Sequence, residues 1–184
     1  MNGLRRYLAA EPAPVLERCE LCATEIPEGH PHLVHVADRR LLCACGPCAF
    51  LFDAPGAGRY ARVPDRVLRA AGPVDWEALQ VPVGIAFVLR NSVQDRMIAC
   101  YPSPAGATES ELPVPAGLPL LDQLAPDVEA LLVRRDPPRS YLVPIDECYR
   151  LVGLVRRHWT GFDGGPEARA AIDGFFAELE VRAC

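Results

Sequence analysis

Lysine is absent from the sequence, and all 19 basic residues are arginine. Asp and Glu number 24, so the formal net charge is −5. The arginines are scattered or paired, as in Arg39-Arg40, Arg134-Arg135 and Arg156-Arg157. Binding to a phosphate backbone needs a concentrated positive face, which this pattern does not supply. We therefore expect no nucleic-acid partner.

Long apolar stretches are also missing. The longest uncharged apolar runs, 41–52 and 80–89, are well short of the roughly 20 residues that span a bilayer. Residues 1–11 contain Arg5 and Arg6 but no apolar segment typical of a signal peptide. We expect no membrane span and a cytoplasmic location, where clustered thiols usually bind metal rather than form disulfides.

Motifs of common catalytic sites are not found either. The chain has no GxSxG elbow and no glycine-rich phosphate loop. Helix capping explains the pair Asp146-Glu147, and packing explains the isolated Cys100, Cys148 and Cys184. We assign no catalytic residue and favour a protein that is not an enzyme. A site beside the segment 101–111 is the enzymatic alternative.

Cysteine is the residue that the sequence has in excess, with eight in 184 residues. Cys19 and Cys22 form one CxxC pair, and Cys45 and Cys48 form a second pair 22 residues further on. Two residues between thiolates let both sulfurs face one ion, and such a turn is called a knuckle. Two knuckles together supply the four ligands of a tetrahedral site. The spacing is at or just above that of four-cysteine zinc sites. We predict that Cys19, Cys22, Cys45 and Cys48 bind metal.

The sequence leaves alternatives open for the exact ligand set and for the identity of the metal. Cys43 is a fifth candidate, since on a strand it would face the same side as Cys45. His30, His32 and His35 are candidate substitutes, although a hairpin near the site accounts for them without metal. Four thiolates suit zinc, which would stabilise the fold, or iron, which would make a rubredoxin-like electron carrier. Cys43 also leaves a two-iron cluster open. We expect Zn²⁺, with Fe as the alternative.

The segment between the two knuckles predicts a small metal module. Residues 31–36 and 39–42 read as strands around a turn, and Gly46-Pro47 places Cys48 in the first turn of a helix over 48–52. A knuckle, a hairpin and a helix with the last ligand resemble a treble-clef or zinc-ribbon module. Paired rubredoxin-like knuckles are the alternative. We predict a metal-binding module over 1–53 and a second domain over 54–184.

The second domain has the pattern of an α+β fold. Short helices are predicted to open at 64–66 and at 75–77, and hairpin strands at 83–89 with 96–101 and at 128–134 with 140–145. A long loop is expected over 102–119. Two helices follow, with buried stripes at Leu151, Val152, Val155 and Trp159, and at Ile172, Phe175, Phe176 and Leu179. The pattern predicts an antiparallel sheet covered on one face by two C-terminal helices.

Several segments together resemble a known family: RCELC at 18–22, the run 41–52, and 101–112, 126–133 and 143–159. The family is an uncharacterised bacterial domain of unknown function, common in high-GC Gram-positives. Its genes are often found near those of oxygen-tolerant nickel–iron hydrogenases and their maturation proteins. The resemblance carries no established activity, but it implies a role in hydrogenase assembly, metal handling or electron transfer. We hypothesise a zinc-stabilised accessory protein that binds hydrogenase or its maturation factors.

Overall fold

The computed structural model describes residues 16–54, 58–70, 76–79, 81–110, 119–161 and 163–183. The predictions for residues 1–11, for the loop residues 111–118 and for Cys184 lie outside these ranges. The strands are β1 (His32–His35), β2 (Arg40–Cys43), β3 (Tyr60–Arg62), β4 (Leu68–Arg69), β5 (Ile85–Asn91), β6 (Arg96–Ser103), β7 (Gly106–Glu109), β8 (Glu129–Arg134) and β9 (Arg139–Pro144). The helices are α1 (Gly46–Phe50), α2 (Trp76–Leu79), a 3-10 helix (Pro119–Gln123), α3 (Ile145–His158) and α4 (Gly165–Arg182).

The N-terminal module has the predicted order of knuckle, hairpin and helix. β1 and β2 pair antiparallel with Leu33 opposite Leu42, and α1 follows directly. A small core lies beneath the cysteines, formed by the buried residues Cys19, Ile26, Leu33, Leu42, Ala44 and Ala49. One strand was not predicted: β3 pairs antiparallel with β1, with Val34 opposite Ala61. The three-stranded sheet therefore includes residues beyond position 53, while the domain boundary itself stays a prediction.

The larger sheet has the strand order β4-β9-β8-β5-β6-β7, and each adjacent pair is antiparallel. The hairpins β5–β6 and β8–β9 confirm the two predicted from the sequence. Strand β8 is buried at five of its six positions, because layers cover both faces of the sheet. This is why its four central residues, 130–133, are all apolar rather than alternating with polar ones.

The helices pack as the apolar stripes predict. In α3 the buried residues include Leu151, Val152 and Val155, and in α4 they include Phe175, Phe176 and Leu179. Apart from Val155, these side chains belong to the main core on one face of the sheet. Residues of α2 and the 3-10 helix belong to a second core that includes Ala86, Val88, Leu131 and Val133 of the sheet. The architecture is α+β, with antiparallel sheets and two C-terminal helices, as predicted. None of the described helices is both long and apolar enough to cross a membrane.

Two local predictions were wrong. The stretch that was expected to form a helix from 64–66 instead contains β4, in which Leu68 pairs with Leu142 of β9. Pairing along a sheet edge has overridden a local helix-start pattern, because tertiary contacts outweigh weak propensities. The first part of the segment expected to be a loop, residues 102–109, instead belongs to the hairpin β6–β7. Its turn is closed by hydrogen bonds of the Ser103 hydroxyl to Gly106 O and Thr108 Oγ1, both 3.0 Å long.

The metal module packs against the rest of the chain at the start of α3. Val34 of β1 belongs to the main core, and Tyr149 of α3 donates a hydrogen bond to Arg39 O at 3.3 Å. Nδ1 of His32 lies 2.9 Å from Oδ2 of Asp146, in the first turn of α3. The module is thus joined to the α+β part by apolar packing and by polar contacts.

A matched pair of glycine variants tests the turn between α3 and α4. Gly165 has φ of 75°, and an added Cβ there would collide with the Thr160 side chain. We expect Gly165→Ala to destabilise the protein by about 1–2 kcal/mol, the cost of a left-handed L-residue. Gly174 lies within α4, with nothing within 4 Å of an added Cβ. Gly174→Ala should stabilise by about 0.5–1 kcal/mol. Thermal unfolding measures both, and equal shifts would contradict the strain at Gly165.

Candidate metal centre

The first cysteine knuckle is a tight turn closed by backbone hydrogen bonds. Cys19 N donates to Thr24 O at 2.8 Å, and Ala23 N donates to Cys19 O at 2.8 Å. Ala23 has φ of 60°, a left-handed conformation that reverses the chain just after Cys22. Arg18 and Glu25 form an antiparallel bridge that closes the base of the turn. This backbone frame directs the Cys19 and Cys22 sulfurs to one place.

The second knuckle is the start of α1. Cys45 is the N-cap residue, Pro47 lies in the first turn, and Ala49 N donates to Cys45 O at 2.9 Å. Proline is favoured there because its missing N–H has no partner in a helix start anyway. Cys48 therefore projects from the first turn of the helix, as the sequence predicts.

Glu20 joins the two halves of the centre, and the sequence reasoning missed it. Its backbone N donates to Cys43 O at 2.9 Å, and its Oε2 accepts from Cys43 N at 2.8 Å. Arg40 lies 3.5 Å from the other carboxylate oxygen. Glu20 lies inside the first CxxC pair, where a polar residue is expected to face solvent. It bridges the two halves because the end of β2 lies next to the first knuckle, and no local sequence pattern indicates that proximity.

The four predicted ligands lie together. The sulfurs of Cys19, Cys22, Cys45 and Cys48 are all within 4.8 Å of one another, and those of Cys22 and Cys45 are 3.6 Å apart. Cys19 is buried, Cys45 and Cys48 are half-buried, and Cys22 is exposed. Four sulfurs at such distances are close enough to hold one metal ion, at the edge of the module core.

The pKa values of three of these thiols are shifted in different directions, down by hydrogen-bond donors at Cys19 and Cys22 and up by neighbouring sulfurs at Cys48. Burial raises the pKa of Cys19, but three backbone amides, that of Cys45 foremost, lower it to about 6. The Thr24 hydroxyl and amide lower the pKa of Cys22. The Cys45 and Cys22 thiols raise the pKa of Cys48 to about 12, since neighbouring sulfurs disfavour a further negative charge. A cation among the sulfurs would remove this conflict and let all four ionise.

The other candidate ligands lie apart from this cluster. Cys43, at the end of β2, forms a second group with His30 and His32, whose ligand atoms are also within 4.8 Å of one another. His35 belongs to neither group, and its Nδ1 lies 2.6 Å from Asp38 Oδ1. The pKa of Asp38 is lowered chiefly by this contact with His35.

The comparisons with known proteins give a family but no activity. A family model, described as a family of unknown function (DUF5947), matches residues 18–183, which include all four clustered cysteines. The chain belongs to the DUF5947 family. The match agrees with the resemblance, seen in the sequence, to a domain of unknown function over nearly the whole chain. No curated protein and no solved structure matches the chain.

Two of the three isolated cysteines of this DUF5947 chain are buried packing residues, as predicted, and the third, Cys184, lies outside the described residues. Cys100 in β6 and Cys148 in α3 are buried in the main core. Burial raises the pKa of Cys100 to about 11, and it also raises the pKa of Cys148.

The segment expected to be a loop offers hydroxyl groups at Ser103 and Thr108. Both are hydrogen-bonded within the β6–β7 turn.

Alkylation by iodoacetamide tests this division of the thiols. The thiolate is the reactive species, so the buried Cys100 and Cys148 should stay unmodified in the native protein at neutral pH. Cys22 is exposed and its pKa is lowered, so it should react unless a metal binds its sulfur. We expect modification of Cys22 only after a chelator is added, measured by peptide mass spectrometry. Equal modification with and without chelator would exclude Cys22 as a ligand.

Proposed function

We propose that this protein is a zinc-binding accessory protein in which Cys19, Cys22, Cys45 and Cys48 hold one Zn²⁺. The observation that carries the proposal is the convergence of these four sulfurs from two knuckles. Four protein ligands close the coordination sphere, so the metal stabilises the fold rather than catalyses a reaction. The proposal includes a cytoplasmic location and a metal module over 1–53 that precedes a domain over 54–184.

Exposed apolar side chains beside the cysteines support a role in protein–protein contacts. Leu21 lies within the first knuckle, and Phe50 and Leu51 follow Cys48 with 69% and 71% exposure. Large exposed apolar side chains gathered near one structural feature are typical of interaction sites. They support a protein partner that binds at the metal module.

The narrower role in nickel–iron hydrogenase assembly is supported by the gene neighbourhood of the family that the sequence resembles. A gene neighbourhood associates the family with a process. The four converging thiols and the exposed apolar side chains beside them also support this role. The proposed partners are hydrogenase itself or its maturation factors.

A rubredoxin-like iron carrier is the second candidate, and the exposure of Cys22 favours it. A ligand at the surface brings the metal within reach of an electron-transfer partner. Elemental analysis and the visible spectrum of protein purified without oxygen distinguish the two functions. We expect about one equivalent of colourless zinc at the four thiolates. An iron-containing protein whose colour bleaches on reduction would replace the zinc proposal with the carrier.

Gene replacement in the source organism tests the accessory role. We expect deletion to reduce hydrogenase maturation and activity, and expect the wild-type gene to restore both. A gene carrying Phe50→Ser and Leu51→Ser should restore them poorly, because the apolar contact is lost. Val181→Ser is the matched control, since Val181 is 87% exposed at the end of α4. Unchanged hydrogenase activity after deletion would overturn the proposed process.

A further inference from the structure

We propose that His30, His32 and Cys43 form a second metal site, separate from the four-cysteine centre, for a divalent first-row transition ion such as Zn²⁺. The three ligand atoms converge within 4.8 Å. The residues come from the loop before β1, from the start of β1 and from the end of β2, and His32 pairs directly with Cys43. Imidazole nitrogen and thiolate sulfur are both donors that zinc takes, and some zinc sites have three protein ligands and one open position.

Both histidines are held with Nε2 available for a metal. Nδ1 of His30 lies 2.9 Å from Pro27 O and 3.4 Å from a Glu17 carboxylate oxygen. Nδ1 of His32 lies 2.9 Å from the carboxylate of Asp146. Because these partners are acceptors, each Nδ1 carries the hydrogen and each Nε2 presents its lone pair. A histidine that donates Nδ1–H to a carbonyl or carboxylate is the usual arrangement behind a metal-bound imidazole.

The clearest sign of a missing ligand is at His30. Its side chain is 7% exposed, and its Nε2 is buried without a hydrogen-bond partner, the one such side-chain atom found among the described residues. Leaving a buried polar atom unpaired is energetically costly, so such atoms in proteins normally have an explanation. A metal ion between His30, His32 and Cys43 would satisfy this nitrogen.

The surroundings hold the three ligands in place and give an ion access. The Cys43 backbone is fixed by Glu20, and the second oxygen of Asp146 accepts from Glu147 N at 2.9 Å. Both histidines line a cavity of about 730 Å³ between β1 and the start of α3. The cavity provides an entry path, and three protein ligands leave a fourth position for water.

Equilibrium dialysis of the reduced full-length protein against micromolar Zn²⁺ tests the second site. We expect two ions per wild-type chain and none in Cys48→Ser, because loss of the four-cysteine centre unfolds the module that holds both clusters. Cys43→Ser should bind one ion, at the four-cysteine centre. His32→Gln should also bind one ion. His35→Gln should keep two, because His35 lies on the same strand and is also paired with a carboxylate, but belongs to neither cluster. Two ions bound by Cys43→Ser would overturn the proposal.

NMR of the histidine ring nitrogens gives a readout that does not depend on the four-cysteine centre. On addition of Zn²⁺, the Nε2 resonances of His30 and His32 should shift, while those of His35 should not. If the wild type binds one ion and these resonances do not move, the second site is absent and the first remains. If Cys43→Ser binds no ion, the two clusters are not separate sites, which would also overturn the proposal.

Discussion

Replacing Cys48 with serine is expected to remove the metal from the four-cysteine centre and to unfold the N-terminal module. Binding of a structural zinc contributes about 10–16 kcal/mol in small zinc domains, which is comparable to the whole stability of a typical domain. The module core consists of only six buried residues among those described, so it has little else to stabilise it. The main core is separate and larger, and α3 and α4 should stay folded.

Limited proteolysis with mass spectrometry measures this outcome, together with zinc content. We expect rapid cleavage within 16–54 in Cys48→Ser and protection of 145–182. Cys100→Ala is the matched control, since it also removes a thiol but lies in the main core. That variant should keep its zinc and lose about 1 kcal/mol, as for deletion of a small buried group. A Cys48→Ser protein with a full complement of zinc and an uncleaved module would refute the ligand set.

Replacing Arg66 with alanine is expected to destabilise the α+β part by about 3–5 kcal/mol, the cost of leaving a buried charge without its partner. Glu129 at the start of β8 is 0% exposed. Its two oxygens accept from Arg66 Nε at 2.5 Å and Nη2 at 2.7 Å. Ala125 N donates to one of the same oxygens at 2.9 Å. Among the described residues, loss of the arginine would leave one backbone donor for a fully buried carboxylate.

Removing the buried charge as well should recover most of that loss. In Arg66→Ala with Glu129→Gln, the neutral amide has no charge to desolvate, so the double variant should be more stable than Arg66→Ala alone. Urea unfolding at neutral pH measures both variants and the wild type. Arg62→Ala is the control, because Arg62 pairs with the exposed Asp53 and surface pairs contribute about 0–1 kcal/mol. Similar losses for the two arginines would show that the burial of Glu129 does not matter.

Much of the fold was predictable because its signals are local. The hairpins β1–β2, β5–β6 and β8–β9 follow from short apolar runs around polar turns, and the two C-terminal helices from apolar residues at helical spacing. β3 and β4 were not predicted. They have three and two residues, and each is stabilised as a strand by pairing with a partner elsewhere in the sequence.

By itself, the sequence determined the two CxxC knuckles and the α+β order of the elements. A knuckle needs just two thiols at a fixed separation on a turning backbone, which is local information. Tertiary structure decided which further residues join the centre. Glu20 bridges to Cys43 across 23 positions, and Cys43 lies with His30 and His32 because β1 and β2 pair in one register. Register and docking depend on contacts between distant segments. The sequence therefore left Cys43 and three histidines open, and the fold brings Cys43, His30 and His32 together and leaves His35 out.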